Sequence, residues 1–590
     1  MTTTTSTGTD NTLYYGDNLD IMREHIPTAS VDLVYLDPPF NSDRDYNVLF
    51  KDESGQDSEA QITAFEDTWH WGPEAEATYH HLATEGAERV ATMIGAMRSF
   101  IGANQMMAYL VMMTVRLAEL HRTLKPTGSL YLHCDPTASH YLKVILDTIF
   151  GADQFRSEII WRRTNSHNKT TRKYGPIHDT ILFYSKTSTF TFHPGFRPYT
   201  RAYIEDRFTH VDERGRFQTN YLTGPGVRNG ESGEAWRGFN PTAVGRHWAI
   251  PKSLRPYLPT DVEKLSSHQA LEALFGQGLI LFPKKEGGQP MYKQYIGPGV
   301  NYQDIWAYQP NTRGVLYGTD ESIDEDVKYL EDEDEKTGYE TQKPVGLLDR
   351  ILITSTNPGD VILDPFCGCG TAIISAQKLG RAWKGIDITH LSIALQKYRL
   401  EKMTPTPAFH VVGEPTDIGA ARQLSLDDRY QFQWWALSLV RAKPLGGQEG
   451  SKTGKKGSDK GIDGVITFPE DASGKLRRAI VQVKSGKVKS GDIRDLVGTV
   501  QRENAAIGVF ITLEQPTQEM TKEAVTAGFY RWPPTGQDYP RIQILPVVDL
   551  LHGAEVKMPP THGPFPGKWK ARQAPEGHQP ALDFGVITQE

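Results

Sequence analysis

The sequence is poor in cysteine and has no long hydrophobic run. Its 590 residues include 3 cysteines, two of them in the tripeptide Cys367-Gly-Cys369, which excludes a disulfide scaffold. No window approaches the roughly 18 consecutive apolar residues of a membrane span, and the threonine-rich start lacks a signal-peptide pattern. Hydrophobic residues still make up 38% of the chain, enough for large buried cores. We therefore expect a cytoplasmic, multidomain protein that does not enter a membrane.

An overall excess of positive charge is also missing. The formal net charge is −8, but binding to a polyanion depends on local fields. Lysine and arginine outnumber aspartate and glutamate by 12 to 6 between Arg156 and Asn220, and by 14 to 7 between Arg441 and Arg502. Acidic residues concentrate between Asp320 and Lys336, where we expect a solvated loop. The charge distribution permits a nucleic-acid partner without demanding one.

Apolar patterning predicts a layered α/β protein. The runs 31–36 and 128–134 are nearly continuous in apolar residues, as in strands buried on both faces of a parallel sheet. Residues from about 87 to 124 are predicted to be helical and rich in methionine, with the methionines filling the core. From 190 to 337 the periodicity weakens, and Gly, Pro, Tyr and Arg become frequent, which indicates an inserted domain. A Pro- and Gly-rich linker begins at about 404 and leads to a separate α/β unit.

A glycine-rich turn, Asp364-Pro-Phe-Cys-Gly-Cys-Gly-Thr371, joins a predicted strand to a predicted helix. Glycines let the backbone approach a nucleoside and leave the helix N-terminus facing it. The next predicted strand ends in Gly385-Ile-Asp387, which places a carboxylate where ribose hydroxyls could be bound. NAD or FAD binding would use a similar pattern, although G-x-G-x-x-G itself is absent. We interpret the two cysteines as small turn residues, because two thiols are too few for a zinc site.

A second motif, Asp37-Pro-Pro-Phe40, ends the first buried strand, because two prolines cannot continue a central ladder. The pairing of this motif with the turn Phe366-Cys-Gly-Cys-Gly370 resembles the amino-methyltransferases that modify exocyclic nitrogens of DNA bases. The order, with the acceptor motif first and the donor motif last, is similar to that of the permuted β group. The resemblance covers roughly Leu13 to Met403 and implies S-adenosylmethionine as cofactor, double-stranded DNA as substrate and a homodimer.

The resemblance assigns roles to two sets of residues. The base-holding set consists of Asp37, Pro38, Pro39 and Phe40. The cofactor-binding set consists of Asp17, Lys343, Pro344, Asp364, Pro365, Phe366, Gly368, Gly370, Thr371 and Asp387.

The implied chemistry fits these residue types. An adenine amino nitrogen is a poor nucleophile, because its lone pair is delocalised into the ring. Acceptors at Asp37 and at the Pro38 carbonyl would bind both amino hydrogens and aim the lone pair at the sulfonium methyl. Phe40 would stack on a base rotated out of the duplex. Aspartate rather than serine at position 37 favours N6 of adenine over N4 of cytosine, as a tendency of the family.

The C-terminal unit carries a different constellation. Gly461-Ile-Asp-Gly464 followed by a strand ending at Lys484 resembles the Mrr-type branch of the PD-(D/E)xK nucleases. The resemblance implies that Asp463 and Gln482 bind Mg²⁺ and that Lys484 stabilises charge. Relatives usually carry an acidic residue on the first helix, where this chain offers only Gln431 or Gln433. The sequence is compatible both with a domain that cleaves DNA and with a domain that binds DNA without catalysis.

The predicted fold class is therefore α/β, a methyltransferase fold with a doubly wound, mostly parallel sheet, plus a restriction-endonuclease-like domain. The predicted order is a disordered tail (1–11), a base-binding half (12–189), a target-recognition insertion (190–337), a cofactor-binding half (338–403), a linker (404–430), an Mrr-like domain (431–553) and a mobile tail (554–590).

The leading function is site-specific methylation of adenine N6 in duplex DNA, in a nucleoid-associated restriction–modification or defence system. The basic stretch 161–174 would contact the DNA backbone beside the flipped base, or is a solvated loop. Alternatives are an N4-cytosine methyltransferase, a restriction nuclease whose methyltransferase half senses methylation, and a non-catalytic DNA scaffold. An RNA substrate is less favoured, because the nuclease-like fold points to DNA.

Overall fold

The structure, a computed structural model, describes residues 11–39, 45–51, 57–66, 71–164, 174–259, 265–285, 288–308, 314–330, 335–337, 339, 341–444, 461–470 and 475–560. Within 45–51 and 57–66 it describes the backbone alone.

The first region supplies one half of a large sheet and its covering helices. Its elements are β1 (Thr12–Tyr15), α1 (Asn18–His25), β2 (Val31–Leu36), β3 (Asp45–Lys51), β4 (Asp57–Glu66), α2 (Pro73–Thr84), α3 (Glu88–Ile101), α4 (Gln105–Thr123), β5 (Leu124–Cys134), α5 (Ser139–Phe150), β6 (Phe155–Arg162) and β7 (His178–Ser185).

The middle region is built from short strands. Its elements are β8 (Phe196–Arg197), α6 (Arg201–Arg207), β9 (His210–Asp212), β10 (Gly215–Tyr221), β11 (Thr223–Pro225), β12 (Arg246–Trp248), α7 (Ser267–Gly276), β13 (Ile280–Leu281), β14 (Met291–Tyr295), β15 (Val300–Asn301) and β16 (Ile305–Trp306).

The remaining elements complete the large sheet and form the C-terminal unit. They are α8 (Val345–Ser355), β17 (Val361–Asp364), α9 (Thr371–Lys378), β18 (Ala382–Asp387), α10 (His390–Glu401), β19 (His410–Val412), α11 (Ile418–Asp427), α12 (Arg429–Leu439), β20 (Lys443–Pro444), β21 (Gly464–Pro469), β22 (Leu476–Lys484), α13 (Ser490–Arg502), β23 (Ile507–Thr512), α14 (Gln518–Thr526), β24 (Phe529–Arg531), β25 (Asp538–Pro540), β26 (Ile542–Pro546) and α15 (Val547–Leu551).

A nine-stranded sheet in the order β16-β6-β7-β5-β2-β17-β18-β1-β19 organises the N-terminal two thirds of the chain. Every pairing is parallel except those of β7 with β5 and β6. Along β2, Val34 and Leu36 enter one hydrophobic core while Leu33 and Tyr35 enter the core on the opposite face. The continuous apolar run of β2 therefore reflects burial on both faces, and the predicted α/β fold is confirmed.

The methionine-rich segment 87–124 is helical, as predicted, and it is divided into two parts. Two helices, α3 and α4, occupy this segment, and they separate at Gly102, whose φ is +81°. Asn104 then caps α4 by accepting a hydrogen bond from the Met107 amide at 3.1 Å. Met93, Met97, Met107, Met112 and Met113 are buried in the core, as predicted. A glycine in the left-handed region followed by an Asn cap is a helix stop that apolar periodicity does not reveal.

The middle region has a core of its own beside a four-stranded sheet in the order β13-β14-β10-β9. Its last strand, however, returns to the large sheet, because β16 pairs in parallel with β6. The acidic run 320–336 was predicted to be a solvated loop, and the structure differs from this prediction. Asp324 and Asp326 form ion pairs of 3.2 and 2.5 Å with Arg350, whose side chain is buried. A buried guanidinium has to be paired, and these acids supply its partners.

The C-terminal unit is a five-stranded sheet in the order β20-β21-β22-β23-β26 with its own hydrophobic core. The segment predicted as a linker, 404–430, is largely structured. Strand β19 pairs with β1 at the edge of the large sheet, and α11 packs against α12 and α15. Residues 1–10 and 561–590, most of the two predicted tails, lie outside the described residues. Within the described ranges, no helix combines the length and apolar character that crossing a bilayer requires.

Candidate functional site

The two motifs follow neighbouring strands of the large sheet. β2 and β17 pair in parallel, with Leu33 opposite Ile362 and Val34 opposite Leu363. Asp37 comes directly after β2, and Asp364 ends β17. Because the carboxyl ends of parallel strands share one edge of a sheet, the two motifs meet there, at the place where open α/β sheets bind ligands.

A cavity of about 260 Å³ opens at this edge. Most of the predicted site residues line it, namely Asp17, Asp37, Pro39, Lys343, Asp364, Pro365, Phe366, Gly368, Thr371 and Asp387. Pro344 and Gly370 are the residues that precede α8 and α9. Pro38 lies in the same motif as Asp37, and Phe40 lies outside the described residues.

Asp37 is paired with Lys343 across the cavity. The Lys343 ammonium donates to Asp37 Oδ2 and also to the Thr341 carbonyl, the latter at 3.3 Å. The two side chains are 9% and 16% exposed, so little water screens the pair. The preceding Gln342 is fixed in turn, because its side chain accepts from the Thr337 amide and donates to the Glu335 carbonyl, both at 2.8 Å. Two residues predicted for different roles thus form one unit.

The glycine-rich turn curls back onto the end of β18. The Gly368 amide donates to Asp387 Oδ2 at 2.9 Å, and the Thr389 amide and hydroxyl donate to Asp387 Oδ1 at 2.9 and 3.0 Å. Burial raises the pKa of Asp387, although these hydrogen bonds act in the opposite direction. Burial likewise raises the pKa of Asp364 well above its usual range, and the nearby Asp37 and Asp387 add to this increase.

Two glycines of the turn need their left-handed conformations. Gly368 has φ +48° and Gly370 has φ +81°. A Cβ on Gly368 would lie 3.3 Å from the Tyr339 ring, and one on Gly370 would lie 2.6 Å from Cγ of the buried Gln396. These contacts leave no room for a side chain, so the backbone itself forms this wall of the cavity.

Asp17 holds the opposite wall through a partner that the sequence did not indicate. Its carboxylate caps α1 by accepting from the Leu19 amide at 2.8 Å and pairs with Arg116 at 2.6 Å. Burial lowers the pKa of Arg116, and the Asp17 charge opposes that effect. Asn18 donates to the Pro365 carbonyl at 2.8 Å and joins this wall to the glycine-rich turn. Arg116 lies within the methionine-rich helix α4, where no motif marks it.

A buried polar chain supports the floor of the cavity. Tyr35, which lines the cavity two residues before Asp37, bonds His133 Nδ1 through its hydroxyl at 3.0 Å. His133 Nε2 bonds Asp179 Oδ2 at 3.0 Å, and Asp179 Oδ1 pairs with Arg163 at 3.1 Å. Burial would raise the pKa of Asp179, but His133, Lys343 and Arg163 outweigh burial and lower it. The chain runs from the cavity to the start of the basic stretch, most of which (165–173) lies outside the described residues.

Other residues of the cavity wall were also missed from sequence. They are Met112, Tyr339, Leu348, Ala372 and Ile388. Cys367 and Cys369, interpreted as small turn residues, are buried free thiols, and burial raises the pKa of each. Apolar residues in separate helices and loops carry no local signal that they share a cavity.

The nuclease-like residues lie together at one end of β21 and β22. Asp463 precedes β21, and its Oδ2 accepts from the Val483 amide at 2.6 Å. Gln482 is buried with its side-chain oxygen unpaired, while Lys484 is exposed. Among the described residues, no group of three or more His, Cys, Asp or Glu side chains could hold a metal ion. Of the described residues, Asp463 and Gln482 alone are candidates for the predicted Mg²⁺ site.

Comparison with known families gives two matches. The model of the N6_N4_Mtase family, described as DNA methylase, matches residues 31–395, which is more than half of the chain. The family described as NACHT-associated inactive Restriction Endonuclease 1 matches residues 447–552.

Similar proteins include a methyltransferase and a subunit of a restriction-modification enzyme. The type II methyltransferase M.EcaI of Enterobacter cloacae is 30% identical over 284 residues, which are 48% of this chain and 54% of the relative. The type III restriction-modification enzyme StyLTI Mod subunit of Salmonella typhimurium is 26% identical over 375 residues, which are 61% of this chain and 49% of the relative. The chain thus spans about half the length of these curated relatives.

A similar solved structure is TTHA0409, a DNA modification methylase of Thermus thermophilus in complex with S-adenosyl-L-methionine. It is 16% identical, covers 69% of this chain and 99% of its own, and has a TM-score of 0.30.

Proposed function

The chain belongs to the DNA methylase family, and from this membership we propose that it transfers a methyl group from S-adenosylmethionine to the exocyclic N6 of adenine in DNA. One observation carries the proposal: Asp37 and the glycine-rich turn after β17 line the same cavity. A site for methyl transfer to a base needs an acceptor clamp and a donor pocket that open onto each other. The similarity to the Mod subunit of a type III restriction-modification enzyme supports a site-specific role.

The residues of the cavity fit S-adenosylmethionine. Gly368 lines the cavity and leaves bare backbone where a nucleoside would lie, and the close approach of Gln396 to Gly370 holds the turn in place. Asp387 would hold the ribose hydroxyls, beside the turn that it already bonds. When bound, the cofactor supplies a methyl group on an electrophilic sulfonium.

The protein's own contribution is to orient and polarise the amino group. Asp37 and the Pro38 carbonyl would accept its two hydrogens, which favours a pyramidal nitrogen with its lone pair aimed along the attack line. The bound cofactor would supply its methyl group to this nitrogen, with the electron pair of the broken S–C bond staying on sulfur, and the surplus proton would pass to water. Lys343 engages Asp37 Oδ2, so Asp37 Oδ1 would take the amino hydrogen.

We assign adenine rather than cytosine as the target base because residue 37 is an aspartate. In the family that the sequence resembles, adenine-specific members tend to carry aspartate at this position. The base would have to leave the duplex, because its amino group is inaccessible in the stack. Phe40 would then stack on the extruded base through its ring.

The C-terminal unit is proposed to grip DNA without cutting it. Residues 447–552 match an endonuclease family described as inactive, and Asp463 is the one acidic residue among the predicted nuclease residues. Two-metal and one-metal phosphodiester cleavage both require a cluster of carboxylates around the ion.

The test is to incubate the full chain with unmethylated duplex DNA and labelled S-adenosylmethionine, and to identify the methylated nucleoside by mass. We expect N6-methyladenine. N4-methylcytosine would replace the base assignment and keep the reaction, whereas the absence of label from DNA over many sequences would refute the proposal.

The acceptor role is tested with Asp37→Ala. Transfer should fall at least a hundredfold while the cofactor dissociation constant changes little, because Asp37 is assigned to the base. Asp135→Ala is a matched control, since Asp135 follows the neighbouring strand β5 and bonds its own turn at Thr137. Equal loss of transfer in both variants would contradict the assignment.

A further inference from the structure

Helix α12 of the C-terminal unit lies against α10, the helix that follows the predicted ribose-binding Asp387. Gln431 of α12 accepts a hydrogen bond at 2.7 Å from the backbone amide of His390. His390 comes three residues after Asp387 and begins α10. The contact therefore attaches the C-terminal unit to the loop that ends β18.

A second contact continues this attachment into the large sheet. The His390 ring stacks on Tyr15, with centroids 3.6 Å apart and planes 14° apart. Tyr15 ends β1 and stands opposite Asp387 in the register of the sheet. Burial and the charges of Asp428 and Asp387 raise the pKa of Tyr15 to about 12. Tyr15 is thus close enough to be affected by the charges of both the predicted ribose-binding acid and Asp428, the residue that caps α12.

A third contact reaches the cavity wall directly. Trp434, one turn after Gln431, belongs to a small buried cluster with Tyr339, Cys369, Leu391 and Leu395, and Tyr430 packs against it. Tyr339 and Cys369 both line the cavity. On an α-helix, residues three and four apart share one face, so one face of α12 carries all these contacts.

We propose that α12 is part of the cofactor site: Gln431 and Trp434 are positioning residues that hold the loop after Asp387 and the outer wall formed by Tyr339 and Cys369. The inference rests on the proposed binding of S-adenosylmethionine. It gives the C-terminal unit a function that does not depend on cleavage, namely to shape the pocket of the methyltransferase. Because coupling between sites is reciprocal, cofactor binding also stabilises the position of α12.

The experiment compares Gln431→Met with Gln433→Met in the full chain and measures the dissociation constant of S-adenosylmethionine by calorimetry. Each change removes one side-chain amide at nearly constant volume. The two positions are about 200° apart around the helix, so only the first faces α10. We expect Gln431→Met to weaken binding about fivefold, as the loss of one neutral hydrogen bond predicts. Gln433→Met should bind like the wild type.

Two results would overturn the inference while leaving the proposed function standing. They are wild-type affinity in Gln431→Met, and equal weakening in both variants, which would reflect general loss of stability. A wild-type chain that does not bind S-adenosylmethionine would instead refute the proposed function.

Hydrogen exchange provides a readout that does not depend on any variant. On addition of S-adenosylmethionine to the wild-type chain, backbone amides of 429–439 should exchange more slowly together with those of 387–390. Protection confined to the large sheet, with 429–439 unchanged, would overturn the inference.

Discussion

His133 connects the floor of the cavity to the outer strands of the sheet. It is fully buried, with one ring nitrogen on Tyr35 and the other on Asp179. A buried polar group that loses its partner costs about 1–3 kcal/mol. The two nitrogens can therefore be tested separately, because asparagine reproduces the position of Nδ1 and glutamine that of Nε2.

We predict that His133→Gln lowers the methylation rate about tenfold, because the variant loses the hydrogen bond to the hydroxyl of Tyr35, which lies beside Asp37. His133→Asn loses the hydrogen bond to Asp179 instead. It should lose comparable stability but keep most of the methylation rate. Single-turnover methylation and thermal melting of both variants check this, with Tyr35→Phe expected to behave like His133→Gln. Equal rates in the two His133 variants would mean that the chain only supports the fold.

His390 gives the protein a dependence on pH. Burial, aided by the charge of Lys397, lowers the pKa of His390 to about 3 from its usual 6.5, and its ring is 1% exposed. Because the folded state disfavours the charged ring, stability is fully present above pH 6.5. It is lost as the pH falls towards 3, by about 1.4 kcal/mol per unit.

Replacing His390 with phenylalanine keeps an aromatic ring on Tyr15 and removes the titration. We predict that His390→Phe loses about 2 kcal/mol less stability than the wild type between pH 7 and pH 5. Melting temperatures at the two pH values measure the difference. The exposed His410 serves as control, since His410→Phe should keep the wild-type dependence on pH.

Among the elements, the unit formed by β17, the glycine-rich turn and α9 depends on backbone geometry. Gly370 precedes α9 with φ +81°, and Gln396 behind it donates to the Gly368 carbonyl at 2.8 Å. Gly380, after the same helix, has φ +70° and open space where a Cβ would lie. The two glycines share a conformation and differ in surroundings.

Gly370→Ala is predicted to weaken binding of S-adenosylmethionine about tenfold, because its Cβ displaces the buried Gln396 and with it the turn. Gly380→Ala should cost about 1 kcal/mol of stability, the strain of a left-handed alanine, and leave the affinity unchanged. Calorimetric titration and melting of both variants separate the two effects. Equal affinities would show that the turn tolerates displacement.

At the scale of the whole molecule, methyl transfer and DNA cleavage are the two reactions to be considered for the N-terminal and the C-terminal units. Asp463 and Gln482 are brought together, and the described residues provide no cluster of three or more metal-binding side chains. Gln431, on the helix where nuclease relatives usually carry an acid, bonds His390 instead. The C-terminal unit is thus connected to the methyltransferase through the helix expected to complete a nuclease site.

We predict that Mg²⁺ neither raises the melting temperature of the full chain nor nicks supercoiled DNA, and that EDTA leaves methylation unchanged. The double variant Asp463→Ala, Lys484→Ala should methylate at the wild-type rate. Agarose electrophoresis of supercoiled plasmid incubated with Mg²⁺ or EDTA measures whether the DNA is nicked. Nicking that requires Mg²⁺ and disappears in the double variant would restore the cleavage hypothesis.

Much of the candidate site was determined by the sequence itself. The strand 31–36, the double proline that ends it and the glycine-rich turn before α9 are local features, since burial on both faces, loss of backbone donors and left-handed glycines each depend on a few adjacent residues. These local features also placed both motifs at the ends of predicted strands.

Only the tertiary structure decided which distant side chains would pair. Asp37 and Lys343 are 306 residues apart, Asp17 and Arg116 are 99 apart, and His390 and Gln431 belong to different units. No local pattern selects such partners, because the choice depends on how helices and loops pack once the sheet has formed. The sequence therefore located the motifs, whereas the packing of distant elements determined how Lys343, Arg116 and α12 surround them.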